Sequence, residues 1–221
     1  MKQKIILSVI ISLVIIGTVV SAILIFKKPE SSNPNASDSS PVSVTGSPSP
    51  EDTLKSGELI SACAGSETSF FVNTKNELYA RGLNSNGQLG YGSTSAFEPT
   101  QKIMDDVISV SSGGKHTLIL KKDGSLWAVG NNEVGQIGNN STDAVYSPVK
   151  IMDDVAVIRA GYSSNVIIKT DGTAWAWGYN GGEQFGVKDK ILRSPIKISD
   201  NAKDAAVGNY AVIILKNDGT L

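Results

Sequence analysis

A glycine-rich phrase occurs three times in this chain at a constant spacing. The copies read GLNSNGQLGYG from Gly82, GNNEVGQIGNN from Gly130 and GYNGGEQFGVK from Gly178, and each starts 48 residues after the one before it. A unit repeated at this length is typical of stacked supersecondary units that bury their apolar faces against one another. We therefore expect an array of similar units rather than one irregular core.

The sequence around each phrase predicts an antiparallel hairpin. In the second copy, the turn signal Asp123-Gly124 separates two short aliphatic runs. The third copy has the same turn at Asp171-Gly172, and the first has Asn76 there, a residue that tolerates left-handed backbone. No segment after Lys55 shows a sustained apolar period of about 3.6 residues, which an amphipathic helix would have. We predict an all-β fold of about three complete β-propeller blades and one partial blade, with a β-solenoid as the alternative.

Three positions of the phrase have predicted structural roles. A glycine ends the second hairpin strand, where the backbone turns sharply or approaches a neighbour closely. An apolar residue plugs the core between units, and the glutamine before it hydrogen-bonds to loop backbone. In the same order, these positions are Gly82, Gly130 and Gly178; Leu89, Ile137 and Phe185; and Gln88, Gln136 and Gln184.

The N-terminal quarter of the chain predicts a membrane anchor and a linker. The segment from Ile5 to Phe26 contains no charge and is long enough to cross a hydrocarbon layer of about 30 Å as a helix. A signal peptide cleaved near Val20-Ser21-Ala22 is the alternative. The predicted divisions are a short cytoplasmic flank (1–4), a transmembrane signal-anchor (5–26), a disordered Ser/Pro-rich linker (27–56) and the repeats (57–221).

Several motifs recur in order and in phase along the repeats. They include GGKH at 113–116, WAVGNN at 127–132, GQIG at 135–138 and WAWGYN at 175–180. Together they resemble the repeat of the regulator of chromosome condensation family, over about residues 60–221. The resemblance implies a seven-bladed β-propeller that serves mainly as a rigid protein-binding platform. The family's eukaryotic namesake is a chromatin-bound nucleotide-exchange factor for a small GTPase.

The fourth copy of the repeat is incomplete in this sequence. It starts at Asp204 and stops at Leu221, directly after the turn signal Asp218-Gly219. A seven-bladed ring needs about twice the length of these repeats. We therefore expect the chain to be the N-terminal part of a longer bacterial protein, and the alternative is that several chains complete one ring.

The chemically reactive residues form no pattern typical of an active site. The formal net charge is −1, so the sequence predicts no nucleic-acid partner. Cys63 and His116 are the only residues of their types, which excludes an internal disulfide and a Cys/His zinc site. Cys63 is expected in the core. Asp105-Asp106 and Asp153-Asp154 occupy equivalent positions, which indicates a loop feature between blades. We predict no catalytic, cofactor-binding or metal-binding residue.

Three tyrosines are the candidate binding residues. Tyr162, Tyr179 and Tyr210 follow or approach glycines at loop positions. Aromatic side chains in such places are typical of a rim that receives a protein partner. The partner itself has no signature in the sequence.

The predicted function is a non-catalytic protein-binding module. A single span from Ile5 to Phe26 would anchor it in a bacterial cell membrane, with the repeats outside. The alternative is a cell-wall or polysaccharide-associated protein whose enzymatic domain lies beyond Leu221. Nucleotide exchange on a GTPase is disfavoured by the external location, and it rests on analogy of fold alone.

Overall fold

The computed structural model describes residues 59–221. Of the two units in the chain, Met1–Thr45 and Gly46–Leu221, these residues belong to the second. The predicted anchor from Ile5 to Phe26 and the predicted linker at 27–56 lie outside the described residues. The part from 59 to 221 contains no helix, and so none that is long and apolar enough to cross a membrane.

Residues 59–221 form fourteen β-strands in four antiparallel sheets. Three sheets have four strands each, paired in chain order, and the fourth sheet has two strands. Blade 1 comprises β1 (Leu59–Ala64), β2 (Thr68–Asn73), β3 (Leu78–Asn84) and β4 (Ser95–Met104). Blade 2 comprises β5 (Val107–Ser112), β6 (His116–Lys121), β7 (Leu126–Gly130) and β8 (Val145–Met152). Blade 3 comprises β9 (Val155–Ala160), β10 (Ser164–Lys169), β11 (Ala174–Tyr179) and β12 (Ile191–Ser199), and blade 4 comprises β13 (Ala202–Val207) and β14 (Val212–Lys216).

The predicted hairpins are confirmed, and their turns have the expected backbone. Gly124 and Gly172 have φ values of 79° and 80°, and Asn76 has a φ of 62° at the equivalent position. Gly130 ends its strand as predicted, whereas the equivalent strands of blades 1 and 3 continue past Gly82 and Gly178. The expected close approach is present, because a Cβ on Gly130 would lie 2.5 Å from the carbonyl oxygen of Lys115. A left-handed or crowded backbone therefore explains the residue choice at these turns.

The phrase that contains the prolines forms the outermost strand of each complete blade, a strand that the sequence patterns did not assign. These strands are β4, β8 and β12, with Pro99, Pro148 and Pro195, and each pairs irregularly with its inner neighbour. Proline cannot donate to a ladder, so it is tolerated at a sheet edge and protects that edge from pairing with another chain.

The second strands of blades 2 and 3 are buried on both faces. Five consecutive residues of β6 and of β10 are buried, whereas only two of the six residues of β5 and of β9 are buried. A strand covered on both faces reads as an apolar run rather than as an alternation. The four first strands β1, β5, β9 and β13 lie side by side in that order, so each sheet packs on the next.

A repeated backbone clasp joins successive blades. Val107 N–H donates to the Asn76 carbonyl (2.9 Å), and Lys122 N–H donates to the Asp106 carbonyl (2.8 Å). The same pair of bonds recurs one blade later at Val155 and Thr170. Asp106 and Asp154 have left-handed φ values, and the aspartate before each one pairs with a lysine of the preceding strand. The paired aspartates are therefore a loop feature between blades, as predicted.

Candidate functional site

Two kinds of loop meet at one end of the blades. The short loop after the first strand and the long loop after the third strand leave the sheet at the same end, because alternate strands of an antiparallel sheet point the same way. We call this the long-loop end. The hairpin turns and the connections between blades lie at the opposite end.

Each long loop is held by one buried asparagine and one apolar plug. In blade 2, the Asn132 side chain accepts a hydrogen bond from Ile137 N–H (2.9 Å) and donates to the carbonyls of Ser141 (3.1 Å) and Asp143 (3.0 Å). Ile137 is fully buried, as predicted. Gln136 accepts a hydrogen bond from Val134 N–H, which confirms its expected bond to loop backbone. Asn84 with Leu89 and Asn180 with Phe185 repeat the arrangement.

The long loops also fix each blade to the next one. Gly92 N–H donates to the Tyr146 carbonyl (2.8 Å), and Asn140 N–H donates to the Arg193 carbonyl (2.9 Å). Within the core, the Gln136 carbonyl accepts from Asn165 Nδ2 (2.8 Å) and from Trp177 Nε1 (2.9 Å). The loop surface is therefore rigidly supported.

The three candidate tyrosines converge on one concavity at the long-loop end. The cavity holds about 290 Å³ and draws its lining from blades 2, 3 and 4. Tyr162 and Tyr210 are 56% and 65% exposed, while Tyr179 is half-buried. The rings of Tyr179 and Tyr210 meet edge to face, with centroids 6.1 Å apart and planes at 70°. The lining residues are Val134, Tyr162, Ser163, Tyr179, Asn209 and Tyr210.

Glycines opposite the rings make room for the tyrosines. A Cβ on Gly114 would lie 2.8 Å from the Tyr162 ring. A Cβ on Gly181 would overlap the Tyr179 ring. Gly114 N–H also donates to the Tyr162 carbonyl (3.0 Å). The shape of this concavity thus depends on small residues as well as on aromatic ones.

The sequence identified the tyrosines of the concavity but missed its other lining residues. Ser163 and Asn209 are direct chain neighbours of Tyr162 and Tyr210. Val134 was the available signal, since it is an apolar residue in a polar loop where the first copy has Asn86. The binding role of the three tyrosines stays a prediction.

A second, polar concavity lies on the other side of Tyr162. It holds about 200 Å³ and includes Glu67 from blade 1 and Lys115 from blade 2, both exposed. Tyr162 contributes to both concavities. The long-loop end therefore presents an aromatic hollow and a charged hollow that share one tyrosine.

His116 and Cys63 have structural contacts away from these hollows. His116 is fully buried, and its Nε2 donates to Asn165 Oδ1 across the boundary between blades 2 and 3 (2.7 Å). Burial lowers the pKa of His116 to about 4, although the bond to Asn165 opposes that shift. Half-buried Cys63 packs against the core of blades 1 and 2, and burial raises its pKa. Residues 59–221 contain no cluster of three or more His, Cys, Asp or Glu that could hold a metal.

Family models identify the repeating unit. The model of the regulator of chromosome condensation (RCC1) repeat matches residues 75–120 and 123–168, and a second model of the same repeat matches residues 107–136. Residues 75–168 carry RCC1 repeats. The match begins at the hairpin turn of one blade and ends within the second strand of a later blade, so the model's repeat is offset from the structural blade.

Solved structures share the fold of these RCC1 repeats. Prp20p from Saccharomyces cerevisiae has a TM-score of 0.63 at 20% identity, over 73% of this chain and 45% of Prp20p. Yeast RCC1 (Prp20) in complex with Kap60 gives 0.62 at 21%, over 73% and 44%. Human WBSCR16 gives 0.53 at 18%, over 74% and 59%. The chain thus spans less than half of Prp20p, and no curated protein matches it significantly.

Proposed function

We propose that the chain is a non-catalytic protein-binding module whose long-loop end receives the partner. The observation that carries this proposal is the convergence of Tyr162, Tyr179 and Tyr210 on one concavity. Exposed aromatic side chains in a rigid hollow contribute large contact area at little entropic cost, which is typical of the anchors of protein interfaces.

The related structures support a binding role without assigning a partner. The yeast Prp20p structure is described with its binding to Gsp1p and histones, and yeast RCC1 (Prp20) is seen bound to Kap60. The likeness at about 20% identity carries the fold alone. We therefore propose a protein partner for this chain and leave nucleotide exchange on a GTPase as the lesser candidate.

We further propose that the module faces the outside of a bacterial cell, anchored through the segment from Ile5 to Phe26. The support is the uncharged length of that segment in the sequence. A partner would then be another surface or wall-associated molecule. Attachment to the membrane and binding at the long-loop end are separate claims, and the experiment has to separate them.

Cross-linking on intact cells tests both claims. The full chain is compared with Tyr210→Ala and with the matched control Phe97→Ala, whose side chain is 63% exposed against 65% for Tyr210 but lies on an outer strand. Loss of an aromatic anchor at an interface costs about 2 kcal/mol or more, or roughly thirtyfold in affinity. We expect a cross-linker that cannot cross membranes to trap the same partner with the wild type and Phe97→Ala, but not with Tyr210→Ala.

Two outcomes contradict parts of the proposal. Equal trapping by Tyr210→Ala and the wild type rejects the tyrosine concavity as the binding site. Trapping that occurs only after the cells are broken rejects the external location and leaves the binding site standing.

A further inference from the structure

The short loops of the four blades share one turn but differ in the residues that they expose. The first loop residue is glycine in each blade, and its N–H donates to the carbonyl three residues later at 2.7–3.0 Å. Because the glycine occurs at the same position in all four short loops, we infer that the blade architecture requires it. The next two residues are Ser66-Glu67, Gly114-Lys115, Tyr162-Ser163 and Asn209-Tyr210. Because the shared turn does not require them, the exposed side chains among them are free to serve recognition.

Two of these variable residues carry opposite charges that are not paired. Glu67 and Lys115 are exposed at equivalent positions of blades 1 and 2, and both line the polar concavity beside Tyr162. Neither has a salt-bridge partner within 4.0 Å among residues 59–221. By contrast, each lysine that precedes a connection between blades has an aspartate three residues later.

The variable residues lie in order across the long-loop end. Since the blades pack in sequence, Glu67, Lys115, Tyr162 and Tyr210 follow one another as acidic, basic and aromatic positions. Packed sheets are separated by about 10 Å, which an extended peptide covers in about three residues. A single extended segment can therefore reach one position per blade.

We propose, resting on the binding function above, that the partner presents an extended peptide segment to this row. Its apolar residue, a proline or an aromatic, enters the tyrosine concavity. About three residues away an acidic side chain meets Lys115, and about three residues further a basic side chain meets Glu67. Aromatic grooves suit extended proline-containing peptides.

The observations favour a peptide over a glycan. The 70° angle between the Tyr179 and Tyr210 rings forms a notch rather than a flat platform for a sugar ring. The opposed charges of Glu67 and Lys115 match the side chains of a peptide, whereas a neutral sugar would leave both without a partner.

Selection from a displayed library of random peptides on the full chain tests the proposal. We expect enriched peptides to carry a basic, an acidic and an apolar residue at regular spacing. An enriched peptide should lose about fivefold in affinity for Lys115→Glu, since an exposed ion pair contributes up to about 1 kcal/mol. Exchanging its acidic residue for lysine should restore binding to that variant. Lys122→Glu changes another exposed lysine, at the opposite end of the blades; it is the matched control and should leave affinity unchanged.

The results separate this inference from the binding function. If Tyr210→Ala abolishes binding while Lys115→Glu and Glu67→Lys change neither affinity nor the selected sequences, the tyrosine site stands and the charged row is rejected. Failure of the library to enrich any peptide, with binding to immobilised glycans that depends on Tyr210, overturns the inference in favour of a carbohydrate ligand.

Discussion

At the scale of single residues, His116 shows how a repeat position takes on an individual role. The first copy has Thr68 there, whose hydroxyl meets the Ser112 hydroxyl on the first strand of the next blade (3.4 Å). The third copy has Ser164, and the histidine reaches the second strand of the next blade, at Asn165 Oδ1. Its Nδ1 has no hydrogen-bond partner among residues 59–221. The ring is thus a buried, neutral donor, because a charge there would be desolvated without compensation.

This burial predicts a loss of stability in mild acid. The pKa of His116 falls from an ordinary 6.5 to about 4 in the folded chain, so the unfolded chain binds a proton that the folded chain does not. The contribution of the neutral His116 ring to the free energy of unfolding is fully present above pH 6.5 and is lost as the pH falls towards about 4. We expect a decrease of roughly 3 kcal/mol in the free energy of unfolding over that range.

Urea unfolding of the wild type and His116→Gln at several pH values measures the effect. The variant has no group that titrates at this site, so its free energy of unfolding should fall less steeply between these pH values. Equal pH dependence of the two proteins would show that His116 is already accessible to protons in the folded state.

At the scale of elements, the long loop of blade 2 depends on the hydrogen bonds that one asparagine side chain donates. Asn132 is fully buried and donates to two carbonyls, whereas its neighbour Asn131 only accepts, from Glu133 N–H and from Gln136 Nε2. Replacing an amide by a carboxylate keeps the acceptor and removes the donor. Changing each of these two neighbours to aspartate therefore separates the effect of losing donated hydrogen bonds from the effect of the substitution itself.

We expect Asn132→Asp to destabilise the chain by about 3 kcal/mol or more, because it leaves buried carbonyls without donors beside a buried charge. Asn131→Asp keeps its acceptor contacts and should cost much less. Chemical denaturation of both variants at neutral pH makes the comparison, and equal losses would mean that the donated bonds to Ser141 and Asp143 do not hold the loop.

The elements also show how far the sequence could predict the structure. Hairpins, turn glycines and the plugs at Leu89, Ile137 and Phe185 were readable because each depends on local chemistry repeated in phase. The outer strands β4, β8 and β12 could not be predicted, since their prolines and irregular pairing disrupt the alternating pattern that is typical of a strand. The tyrosines were recognised one by one, but their convergence follows from how one blade is placed against the next, which no local pattern contains.

At the scale of the whole array of blades, the free energy needed to open a strand should increase with the number of its faces that are buried. Each blade packs on its neighbours in sequence, so the free energy of opening depends on local interfaces more than on a single core. Strands β6 and β10 are buried on both faces, while β14 is only partly covered and its Ile213 is 53% exposed. The described blades are therefore not expected to open together.

Hydrogen exchange of the full chain tests this gradient. We expect amides of β14 to exchange more than about tenfold faster than those of β6 and β10, since local opening needs less free energy where fewer faces are buried. The variant Asn165→Ala removes the side chain that joins His116 to the Gln136 carbonyl, so it should speed exchange in β6 and β10 and leave β2 unchanged. Equal exchange rates in these strands would indicate that the blades open as one cooperative unit. An increase in the exchange rate of β2 as large as that of β6 and β10 would indicate the same, because contacts between neighbouring blades alone cannot transmit the loss of one interface undiminished to every blade.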